Sequence, residues 1–166
     1  MIPLHDGTPT QTAPVLTVAL IALCIVVYLW QWSLGPVQAQ AVYALGVIPA
    51  IIFDHARLPI ELEWVAPVLT PVTSMFLHGG FMHLAGNMLY LWIFGNNIED
   101  AMGRGRFLVF YLLCGIAAVL AQALPDTLST VPMIGASAVS YTHLRAHETR
   151  HGLVCRRLLE EGRGGG

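Results

Sequence analysis

His83 and Asn87 stand four residues apart in a run that is otherwise apolar, with His78 five residues earlier. On a helix, residues four apart share one face and point the same way. An imidazole and a carboxamide so aligned are hydrogen-bond donors aimed at a common point. Ser137 follows Gly135 and Ala136, whose small size lets a backbone or a substrate come close. A serine hydroxyl is a nucleophile once a base takes its proton. The free N–H groups of a helix N-terminus suit an oxyanion. A hydroxyl, two side-chain donors and backbone N–H groups at one depth make up most of an acyl-transfer site.

Each residue alone has a plainer reading. Histidine and asparagine in a membrane helix commonly hydrogen-bond a neighbouring helix. A serine there usually bonds back to its own backbone. A metal site is not expected, because the five-residue spacing of His78 and His83 spoils a shared face and no carboxylate or cysteine stands near in sequence. Cys24, Cys114 and Cys155 are odd in number and share no ligand spacing, so neither a zinc site nor a disulfide framework is expected. His143, His147 and His151 share a face by spacing, but in a charged, Gly-ended stretch they read as a solvated tail.

The elements that must position these groups are apolar helices. Ala13 to Trp32 is free of charge and, at ~1.5 Å per residue, reaches about 30 Å, the thickness of a bilayer core. Its leader has no basic residue and no small-residue cleavage site follows, so a cleaved signal peptide is not expected. Tyr28, Trp30 and Trp32 gather at its far end, where amphipathic rings prefer the interface. A second span is expected over Phe81 to Ile98 and a third over Phe107 to Leu124. Residues 33–77, broken by Gly46, Pro49, Pro59, Pro67 and Pro71, read as a structured loop partly embedded in the interface. Arg104 and Arg106 in the short second connection place it, and the amino terminus, in the cytoplasm. A fourth span would then enter from the outer side near Met133. It cannot continue through the tail, where Arg145 and Arg150 would each cost about 2.5–3.5 kcal/mol at mid-membrane depth.

Composition agrees. Of 166 residues 55% are hydrophobic and 11% charged, with a mean hydropathy of +0.64. A soluble chain so poor in charge would expose large apolar patches. The net charge of −2 excludes a polybasic nucleic-acid binder. Residues 1–140 hold three arginines and seven acidic residues, against five arginines and three glutamates in 141–166. Two parts are therefore expected: 1–139, a membrane domain, and 140–166, a charged, non-native or disordered tail. Residues 140–149 also resemble a sequence that recurs at the ends of metagenome-derived translations, which places a junction near Val139–Ser140.

The combined motifs resemble rhomboid intramembrane serine proteases. The family's H-x-x-x-x-H-x-x-x-N pattern falls on His78, His83 and Asn87, its G-x-S on Gly135, Ala136 and Ser137, and its G-x-x-x-E…G loop on Gly95, Glu99 and Gly103. The resemblance covers most of residues 10–139. It implies an all-α membrane protein, a polytopic helical bundle of the rhomboid type, with three spans and the start of a fourth in this chain. It implies Ser137 as nucleophile, His83, Asn87 and the Ser137 N–H as oxyanion hole, and His78 in support. It further implies single-span transmembrane substrates, a multi-pass location in a bacterial plasma (inner) membrane, and no metal or other cofactor.

Three departures accompany the resemblance. Ala138 stands where G-x-S-G has its second glycine, and Val65 follows Trp64 where the family carries arginine. The family's general-base histidine lies on a later span with no counterpart here. His147, ten residues beyond Ser137, would stand about 15 Å away along a helix, far outside the roughly 2.6–3.2 Å of a hydrogen bond. The chain is therefore expected to be inactive by itself. The alternative is a rhomboid-like pseudoprotease that binds membrane segments without cutting them. A small transporter or channel subunit is disfavoured, because no internal repeat is present.

Overall fold

The computed structural model describes residues 13–135. Seven α-helices are found among them: α1 (Val15–Ser33), α2 (Gln38–Leu45), α3 (Pro49–Ile52), α4 (Thr70–Thr73), α5 (Phe81–Tyr90), α6 (Asn96–Met102) and α7 (Arg104–Ala123). Among the described residues no strand pairs occur beyond one isolated antiparallel bridge between Val47 and Met133. Two helices, Val15–Ser33 and Arg104–Asp126, are long and apolar enough to cross a membrane. A third crossing comes from the pair Ile60–Phe76 and Phe81–Met102, which bend by 83° at their junction, if the pair counts as one span. This is an apolar helical bundle, as the hydropathy pattern predicts.

Large apolar side chains face outward along the long helices, among them Val26 and Leu29 on α1 and Val109 and Leu113 on α7. In water such faces would drive association; in lipid they are the solvent-matched surface. Contacts between helices rely on small residues instead. Gly115 of α7 carries the Met75 side chain directly on its backbone, where a Cβ would collide with the methionine Cε and Sδ. Gly95 lets Thr17 approach, since a Cβ there would stand 3.1 Å from the threonine Cγ2.

The second span differs from its expected outline. It does not stop at Ile98 but continues to Met102, and Leu91–Gly95 forms a π-turn between α5 and α6. The third helix starts at Arg104, directly after Gly103, whose φ of 79° is a left-handed value that suits glycine. Hydropathy places the boundaries at the charges. The backbone ignores them, because Glu99 is fully satisfied where it lies.

Glu99 stands at the N-terminus of α1, where Pro14 offers no side-chain cap. Its Oε1 accepts the Leu16 N–H at 2.9 Å, and its Oε2 accepts the Thr17 N–H at 2.7 Å and the Thr17 hydroxyl at 2.8 Å. A carboxylate on the free N–H groups of a helix start also meets the positive end of its dipole. At the other end of α1, the buried Gln31 side chain bonds the His78 backbone. The first and second spans are thus antiparallel, with a polar tie at each end.

The connection after α1 is structured and packs against the rest of the bundle. Val47, Val119, Ala123 and Met133 form one buried cluster, with Ile52 and Phe53 packed on it. The fourth span expected to begin near Met133 lies outside the described residues, which end at Gly135. Met133 is held extended, its N–H donating to the Val47 carbonyl at 2.6 Å while its carbonyl accepts from the Val47 N–H at 3.0 Å. Pairing with Val47 satisfies groups that a helix start would leave free. The expected tail, 140–166, lies outside the described residues.

Candidate active site

The turn before α5 and the segment ending at Gly135 meet at the Gln31 end of the bundle. His83 is the third residue of α5 and Asn87 lies one turn further on, which gives the shared face that their spacing predicts. His78 sits just before the helix, 1% exposed. Its Nδ1 lies 3.1 Å from the Phe76 carbonyl. A carbonyl only accepts, so the His78 proton sits on Nδ1 and Nε2 is bare. That buried Nε2 has no hydrogen-bond partner among the described residues. The His78 and His83 rings are 5.2 Å apart, edge to face at 61°.

Nδ1 of His83 accepts the Gly79 N–H at 3.4 Å. The rest of the ring lies against Gly135. A Cβ built on Gly135 would run into Cε1 and stand 2.6 Å from Nε2. Only glycine suits this position twice over, for its φ is 85° and its side is filled by the imidazole. Gly135 is fixed in place by its N–H, which donates to the Ser74 carbonyl at 2.8 Å. Ser74 is buried, and its hydroxyl donates to the Pro71 carbonyl at 3.2 Å. Asn87 Nδ2 is buried without a hydrogen-bond partner among the described residues. Leaving such a donor unmet costs about 1–3 kcal/mol, so a buried amide of this kind is one that an acceptor would satisfy.

The structure therefore brings together His78, His83 and the first residue of the G-A-S motif, with Asn87 one helical turn beyond His83 on α5. Ser137 lies outside the described residues, two positions beyond Gly135. Spacing alone misses two contributors, Gln31 and the Gly79 N–H. For Gln31 a signal exists: it is a lone carboxamide in an apolar helix, and polar groups at such depth normally have a partner. Among the described residues no three histidine, cysteine or acidic side chains gather as a metal site would need.

The family model of the rhomboid domain matches residues 66–157, more than half of the chain. The chain belongs to the rhomboid family. It is 34% identical over 134 residues to rhomboid protease GluP of Bacillus subtilis, covering 80% of this chain and 24% of that protein. It is 29% identical over 107 residues to mitochondrial rhomboid protein 1 of Saccharomyces cerevisiae, covering 58% of this chain and 31% of the relative. RHOMBOID-like protein 5 of Arabidopsis thaliana is 32% identical over 75 residues, which is 45% of this chain and 24% of the relative. The chain thus spans a quarter to a third of the length of these relatives. No solved structure matches it. As a rhomboid with apolar spanning helices, it is an integral membrane protein.

Proposed function

We propose that the whole protein is an intramembrane serine endopeptidase that cleaves single-span transmembrane substrates, and that residues 1–139 carry its acylation half-site. Ser137 attacks the scissile carbonyl. The His83 Nε2–H, the Asn87 amide and the Ser137 N–H receive the oxyanion, and His78 supports the turn from which they project. The observation that carries this reading is the seating of Gly135 on the His83 ring, which brings the start of the G-A-S motif to the donors on α5. The unmet donor at Asn87 supports it. The serine's base comes from a segment beyond the described residues, since His83 Nδ1 already accepts the Gly79 N–H, which leaves its proton on Nε2, and His78 is buried in the turn. Residues 140–166 take no part.

Two measurements test this. In the whole protein, Ser137→Ala abolishes cleavage of a model transmembrane substrate, and Asn87→Ala slows it by about 10²–10³, the usual cost of one oxyanion donor. Unchanged cleavage by the serine variant overturns the assignment. The 166-residue chain alone leaves a fluorophosphonate probe unreacted at Ser137; strong labelling would show that a base is present after all. If the whole protein captures transmembrane segments and cuts none, the binding-only reading replaces the protease.

A further inference from the structure

Gln31 is a fully buried carboxamide two residues before the end of α1 that the proposed chemistry leaves unused. Both of its polar atoms hold one residue. Oε1 accepts the His78 N–H at 3.0 Å, and Nε2 donates to the His78 carbonyl at 3.4 Å. That carbonyl belongs to the peptide unit joining His78 to Gly79. In a trans peptide the N–H points opposite to the C=O. The N–H of this unit is that of Gly79, and it donates to Nδ1 of His83 at 3.4 Å. Gln31 therefore grips one end of a peptide plane whose other end meets the imidazole.

Little else on the turn would hold that plane. Gly79 and Gly80 follow directly, and glycine resists rotation less than any other residue. The bond from His78 Nδ1 to the Phe76 carbonyl fixes the His78 ring and leaves the next peptide free. A ring nitrogen that accepts an N–H cannot carry the proton, so neutral His83 bears it on Nε2. That is the atom beside Gly135. Donation to the carbonyl also polarises the N–H of the same unit, because hydrogen bonds in a chain strengthen one another.

The geometry points to Gln31 as a positioning residue: through the His78–Gly79 peptide it holds His83 in the tautomer with its proton on Nε2, facing Gly135. This rests on the reading of His83 as an oxyanion donor, which is what gives that tautomer a use. Gln31 touches no reacting atom. It acts from the first span on a ring of the second.

The test is the ¹⁵N spectrum of the histidines in the full 166-residue chain, reconstituted in lipid nanodiscs without substrate. In the wild type, His83 shows a single form with Nδ1 unprotonated and Nε2 protonated. Gln31→Leu keeps the size of the side chain and removes both bonds, and it turns that single form into a mixture. Thr17→Val removes a hydroxyl bond at the opposite end of α1, lowers the melting temperature and leaves the His83 spectrum as it was. Gln31→Met is read in the same way if the leucine variant does not fold, and the wild-type spectrum decides if neither does. A proton on Nδ1 in the wild type overturns the proposal. So does a Gln31→Leu spectrum identical to wild type, or a Thr17→Val change as large as that of Gln31→Leu. The measurement needs no cleavage: the expected tautomer in a whole protein that cuts nothing sinks only the protease reading, and the wrong tautomer in an active one sinks the role of Gln31 and the donor role of His83 Nε2 while the serine endopeptidase stands.

Discussion

At the scale of single residues, Glu99 and Arg104 separate what burial does from what charge does. The carboxylate lies 3.7 Å from the Arg104 guanidinium, whose side chain is 62% exposed. An ion pair so open to its surroundings contributes about 0–1 kcal/mol. The bonds from Glu99 to Leu16 and Thr17 are buried, and each N–H left without an acceptor costs about 1–3 kcal/mol. Glu99→Ala therefore lowers the melting temperature sharply in detergent, while Arg104→Ala scarcely moves it. Equal losses would show that the ion pair, not the helix cap, is the stabilising element. Gly135→Ala makes the corresponding test at the site. A left-handed φ costs a non-glycine residue roughly 1–2 kcal/mol, and the added methyl must also push the His83 ring aside. Cleavage by the whole protein collapses in this variant and survives in Gly105→Ala, where the added methyl meets open space. The sequence shows which residue types converge, because spacing on a helix is regular. It does not show that Gly135 needs the His83 ring for a neighbour, since that contact joins residues 52 positions apart.

At the scale of the helix, the π-turn at Leu91–Gly95 sets which way the lower half of the second span faces. Asn87 and Glu99 are twelve residues apart. At about 100° per residue an unbroken α-helix would put them roughly 120° apart around the axis. A π-turn holds one extra residue and takes back about 100°, so Glu99 comes almost beneath Asn87 and reaches the start of α1. Deleting Trp92, whose side chain faces outward, straightens the turn and leaves the relative facing intact; the melting temperature falls little. Inserting one alanine after Phe94 rotates Glu99 by about a third of a turn, and the loss matches that of Glu99→Ala. The reverse order, deletion worse than insertion, would show that the π-turn is not what aims Glu99. Spans were legible because long apolar runs leave a backbone few options but helix. The π-turn was not, for LWIFG is as apolar as the residues before it and only packing against Thr17 reveals it. The pairing of Met133 with Val47 was not legible either, because it joins residues far apart in sequence.

At the scale of the whole molecule, the two polar ties give the bundle distinguishable ends. The start of α1, Glu99, Gly103, Arg104 and Arg106 occupy one, and Gln31, His78, His83 and Gly135 the other. Arginines in short loops stay on the cytoplasmic side, because carrying them across the bilayer is costly. On that rule we propose that the arginine end faces the cytoplasm and the histidine end the exterior, with the candidate site toward the outer leaflet. Single cysteines in a background without Cys24, Cys114 and Cys155 test this orientation. A cysteine at Gly105 reacts with a membrane-impermeant maleimide only after the inner face is opened. One at Ile60, 85% exposed in the connection after α1, reacts from outside in intact cells. The opposite pattern would put the donors of α5 at the cytoplasmic surface, and substrates cut there would present their inner rather than their outer ends. Orientation and chemistry are linked through one helix: the second span carries the acid that caps α1 near one end and His83, which lies against Gly135, near the other, so whatever fixes the depth of Glu99 in the bilayer fixes the depth of His83 and Asn87 as well.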